Sequence, residues 1–139
     1  MINLHERLQS MIGRVEEEAK DREEKIAALG KQQAEFWERE WEPARKKIVE
    51  AIDKSPGRES HVDPGYSVDP TRSLRVLDRQ HDVTEFVFNL KIIRDDLKLF
   101  VEFNDDEKKY PLEEITDSHI YDAFLDRYEN FLREKLIPK

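Results

Sequence analysis

Cysteine is absent from the 139-residue chain, which rules out a disulfide framework and any thiolate metal site. Glycine occurs only four times, at Gly13, Gly30, Gly57 and Gly65, never at the spacing of a loop that cradles phosphate. There is no G-x-S-x-G elbow, and Ser10, Ser60, Ser67 and Ser118 lie in no nucleophile motif, so nothing points to a nucleophilic serine. The chain also lacks an apolar run of about 18 residues, the length a membrane-spanning helix requires. Its opening residues, MINLHERLQS, carry neither the basic start nor the apolar stretch of a signal peptide. With the missing cysteine, these features predict a cytoplasmic protein.

Apolar residues are scarce too. They make up 37% of the chain and charged residues 40%, against typical values of about 45–50% and about 25%, so much of the molecule must be solvated surface. Acidic residues outnumber basic ones, 32 to 24, for a net charge of −8. Such a surface repels phosphate backbones and anionic lipid, and neither nucleic acid nor membrane is an expected partner.

What is present begins with a helical pattern. Asn3 followed by Glu6 has the form of a capping box, which satisfies orphan amides at the first turn of a helix. Leu4, Leu8, Met11, Ile12 and Val15 then recur at spacings of three and four, the repeat that aligns side chains in one stripe. From Glu16 to Lys25 the chain reads EEEAKDREEK, with opposite charges four apart that favour an exposed helix. The stripe resumes at Ile26 and Leu29 and runs through Phe36, Trp37 and Trp41 to Ile48 and Ile52. Pro43 interrupts it, and because proline removes an amide and clashes with the preceding turn, a kink or restart is expected near Glu42.

Residues 55–72 hold prolines, glycines and the echo Val62-Asp63-Pro64, Val68-Asp69-Pro70, and read as a loop. From Leu74 onward the apolar period becomes two: Phe86, Phe88, Leu90 and Ile92, then Leu97, Leu99, Val101 and Phe103. These predict antiparallel strands joined by the short polar turn at Arg94-Asp95-Asp96. Thr116 caps a last helix, with Ile115 stapled against Ile120 and an apolar face of Tyr121, Phe124, Leu125, Tyr128, Phe131, Leu132 and Leu136. Ten of the thirteen aromatic residues follow position 60, which places the main core in the second half. The expected fold is α+β, a single domain of 1–139. It comprises a long N-terminal amphipathic helical region (1–54), the loop (55–72), and a three- to four-stranded antiparallel meander with a C-terminal helix packed on one sheet face (73–139).

Several clusters of reactive residues have plainer explanations. His61 with Asp63, and His81 beside Asp82, suggest metal ligands for hydrolysis, but they lie on a predicted loop and strand end, without the rigid support a metal centre needs. Asp95-Asp96, Asp105-Asp106-Glu107 and Glu113-Glu114 read as solvated turns, because NDDEKKYPLEE lacks the glycine of a calcium loop. Arg45-Lys46-Lys47 and the series Arg72, Arg75, Arg79 are flanked by acids that neutralise them locally. Phe36, Trp37 and Trp41 stand apart, since such rings fill either a core or an interface hot spot.

No catalytic residue, metal ligand or cofactor is assigned. The leading expectation is a non-catalytic interaction protein that forms a homodimer through its N-terminal helix, with Leu4, Leu8, Met11, Ile12, Val15, Phe36, Trp37 and Trp41 as candidate interface residues. An acidic inhibitor, in the manner of an immunity protein or antitoxin that binds a basic enzyme, is the alternative. A metal-dependent hydrolase using His61, Asp63 and His81 is the weaker one.

Overall fold

The structure is a computed structural model and describes residues 3–81 and 84–138. Asn3 opens the first helix, its Oδ1 accepting the Glu6 amide at 2.8 Å and satisfying one of the donors that a helix start leaves unpaired. Helix α1, Leu4–Phe36, then runs unbroken for 33 residues, about 50 Å at 1.5 Å per residue.

The interruption expected near Glu42 takes the form of a π-turn, Trp37–Trp41, followed directly by helix α2, Glu42–Asp53. Proline has no amide, and its ring would strike the carbonyl four residues back. The Glu42 amide bonds to the Trp37 carbonyl, five residues back, so the helix widens just ahead of Pro43 and continues without breaking.

Strands β1 (Arg58–Asp63), β2 (Thr71–Asp78), β3 (Thr84–Asp95), β4 (Lys98–Phe103) and β5 (Tyr110–Pro111) form one sheet in chain order. Every neighbouring pair is antiparallel. The sheet therefore has five strands where three or four were expected. The additional one is β1, which lies inside the 55–72 segment read as loop. Its sequence, RESHVD, has a single apolar residue, because an edge strand with partly open faces is held by backbone pairing with β2 more than by side-chain burial.

Period-two alternation sets the core face. Leu74, Val76, Phe86, Phe88, Leu90, Ile92, Leu99, Val101 and Phe103 are all buried. The register places Leu74 opposite Phe88, Val76 opposite Phe86, and Ile92 opposite Val101, so the apolar sets of three strands converge on one side. Helix α3, Asp117–Leu136, lies on that side. Its Phe124 ring sits 5.9 Å from Phe86 and 5.6 Å from Phe88, in the edge-on geometry aromatic quadrupoles favour. Ile115 and Ile120 at its start are buried as the staple predicts, whereas Leu125 and Leu136 turn outward, so the apolar face is narrower than the sequence suggested. Ala44, Ile48 and Ile52 of α2 join the same core. Among the described residues no helix is long and apolar enough to cross a membrane.

Candidate functional site

The eight candidate interface residues separate into two groups. Leu4, Leu8, Met11, Ile12 and Val15 are 72, 44, 44, 49 and 57% exposed. Every residue from Asn3 to Lys25 is exposed; Ile26 is the first to be partly covered and Leu29 the first to be buried. Helix α1 therefore stands clear of the domain for its first twenty or so residues, about 30 Å. Among the described residues, the one ion pair that reaches back joins Arg22 to Asp96, at the β3–β4 turn, at 3.0 Å. Both partners are exposed, and such a pair contributes about 0–1 kcal/mol.

Phe36, Trp37 and Trp41, by contrast, are 0, 3 and 1% exposed and belong to the protein's own core, a correction to their placement at an interface. At the π-turn they stack edge to face, 5.6 Å between Phe36 and Trp37 and 6.3 Å between Trp37 and Trp41. The turn also organises its surroundings. Glu40 Oε2 accepts the Asp117 amide at 2.8 Å, tying the start of α3 to it. Trp37 Nε1 donates to the Asp69 carbonyl at 3.1 Å, and Gln33 Nε2 donates to the Ser67 and Asp69 carbonyls at 3.2 and 3.1 Å.

Arg72 completes this clasp. Its guanidinium lies 4.3 Å from the centre of the Trp37 ring and donates to the carbonyls of Thr71 and Tyr66, both at 2.9 Å. Burial pushes the guanidinium below its ordinary pKa, while the carboxylates of Asp69 and Glu42 pull in the opposite direction. A side chain at Gly65 would run into this guanidinium and displace it, so the loop packs directly over the arginine because glycine stands there. The β1–β2 connection is thus pinned from beneath, and its tip presents Tyr66 and Val68 at 78 and 81% exposure. Sequence reasoning missed this pair; the available signal was the Asp69 turn, whose carboxylate accepts the Tyr66 amide at 2.9 Å.

An apolar groove of about 400 Å³ separates α2 from α3, lined by Ile48, Ile52, Tyr121, Phe124 and Tyr128 with Lys47 at its rim. Lys47 Nζ lies 5.3 Å from the centre of the Tyr121 ring, a cation–π contact.

The other reactive clusters are dispersed. His61 bonds to Glu59 at 3.2 Å and His81 to Asp78 at 3.0 Å. His61 lies opposite Arg75, whereas Asp78 lies opposite Arg58, three residues or about 10 Å along the strands. Among the described residues no three His, Cys, Asp or Glu are grouped to hold a metal ion; Asp82 lies outside the described residues. Arg45 pairs with Glu42 at 2.6 Å, Arg75 with Glu85 at 3.8 Å and Arg79 with Glu59 at 2.7 Å, so these cations are neutralised where they stand.

Asp78 is the one buried carboxylate among the described residues. Burial pushes its pKa up, but the hydrogen bonds from His81 and the Gln80 amide, with the Arg58 guanidinium at 3.3 Å, outweigh it and hold the carboxyl below its ordinary value. A lowered folded-state value means that its stabilising contribution is complete above the unfolded pKa of about 3.9 and is lost as pH falls through the folded one. Urea unfolding should accordingly show stability dropping below about pH 4, with a shallower drop in Asp78→Asn.

No family model, curated protein or solved structure matches this chain.

Proposed function

We propose that this chain is a non-catalytic interaction protein that self-associates into a homodimer through the N-terminal stripe of α1, while the α+β body carries its remaining binding surface. The observation that supports this reading is the exposure of Leu4, Leu8, Met11, Ile12 and Val15 on a helix segment whose own domain does not reach it. A free-standing helix of this length is marginal in water, because helical stability in proteins comes mostly from packing an apolar face.

The size of the stripe sets the expected strength. Burying a large aliphatic side chain contributes about 1.5–3 kcal/mol at about 25 cal/mol per Å², or about 60–120 Å² each. Five such residues on each of two chains bury about 600–1,200 Å², at the lower edge of specific interfaces. The dimer should therefore be reversible and concentration-dependent. Light scattering behind gel filtration tests this on the full chain and on a chain lacking residues 1–25: the full chain should approach twice the monomer mass as concentration rises, and the shortened chain should stay monomeric. Equal monomer masses throughout would remove the reading.

A second reading, an acidic binder of a basic partner, is favoured by the pinned 64–70 loop. Tyr66 and Val68 are held outward beside Asp63 and Asp69 on a molecule of net charge −8, and rigid exposed aromatics near charge are common anchors of binding. Tyr66→Ala should then weaken capture of such a partner, and added salt should weaken it further.

A further inference from the structure

We propose that the two N-terminal helices pair antiparallel, with Leu4 beside Val15 of the second copy and Leu8 beside Met11 of the second copy, so that the two bodies lie at opposite ends of a short helical bridge. This rests on the self-association reading and adds its geometry. The decisive feature is which side of α1 carries the stripe. At about 100° per residue, Leu4, Leu8, Met11, Ile12 and Val15 occupy an arc of about 100°. Leu29 and Phe36, the residues of α1 buried against its own domain, fall within about 20° of that arc. Stripe and body are therefore on the same side of one uninterrupted helix.

That coincidence excludes a parallel pair. Helices in contact have axes about 8–10 Å apart. If the stripes faced each other in parallel, both bodies would have to fit into that gap at the same level, and each is a sheet with helices upon it. A parallel pair would also run the Glu16–Lys25 segments side by side, each with six acidic and three basic residues. Reversing one helix removes both conflicts. In the antiparallel pair the bodies sit beyond opposite ends of the overlap, because Arg22, which pairs with Asp96 of the body, lies about 10 Å past Val15 along the helix. The acidic segment of one copy then begins level with the start of the other helix, where the macrodipole favours negative charge.

The absence of cysteine makes the test direct, since one introduced thiol gives one spin label per chain. Gln9 and Lys25 are both exposed, so Gln9→Cys and Lys25→Cys should leave the fold intact. Pulsed dipolar spectroscopy on the full-length labelled dimer should give a short distance at position 9, under about 25 Å, and about 45–50 Å at position 25 from the helical rise. Short distances at both positions would overturn the antiparallel arrangement while leaving self-association standing. No dipolar coupling at position 9 in concentrated protein would overturn self-association and the arrangement together.

Discussion

Trp41→Ala is expected to cost about 3–5 kcal/mol, a large share of the roughly 5–15 kcal/mol that holds a domain folded. The ring is 1% exposed, and its surroundings have little freedom to close over the cavity. Pro43 fixes the start of α2 on one side, the Glu40 bond to the Asp117 amide ties the turn to α3 on another, and Trp37 is held by the Asp69 carbonyl and the Arg72 guanidinium. Sites that cannot relax lie at the upper end of the cost of large-to-small substitution. Urea unfolding followed by circular dichroism measures this directly. A loss below about 1 kcal/mol, far under the usual range for removing a buried ring, would mean that the π-turn is not the packing centre described above.

Leu8→Glu is expected to act in the opposite place, leaving the monomer folded and removing the dimer. Leu8 is 44% exposed and touches no part of its own domain's core, so the body should unfold at an unchanged urea concentration. In the pair each copy contributes one Leu8, so a single substitution removes two buried side chains and introduces two carboxylates without partners. At about 1.5–3 kcal/mol for each lost side chain, association should weaken about 100- to 20,000-fold. A dimer of undiminished strength would place the contact somewhere other than the stripe.

Much of the architecture could be read from periodicity. The change from a three-four repeat before Asp53 to alternation after Leu74 separates helix from sheet, and both helix starts carry recognisable caps at Asn3 and Thr116. Strand β1 escaped because its pairing with β2 is made by backbone groups, which leave no trace in side-chain pattern. The π-turn was visible only as the conflict between an apolar stripe that continues and a proline that should stop it. For the aromatic trio, the sequence supplied the residues but not their partner: Phe36, Trp37 and Trp41 would bury the same ring faces against a second chain or against their own sheet. What decides the matter is the clasp formed by Arg72 and the 64–70 loop, brought together from more than 30 residues away. The N-terminal stripe was legible for the converse reason, since five apolar residues followed by a charged segment predict a face that nothing local can cover.

Amide hydrogen exchange followed across a range of protein concentrations bears most directly on whether that face is covered by a second copy. In dilute solution the amides of residues 8–21 should exchange rapidly, as befits an unsupported helix. As concentration rises they should become protected in the native chain but not in Leu8→Glu, while the amides of β3 keep the same protection throughout. Protection of residues 8–21 that is the same at every concentration would contradict the pairing of these helices.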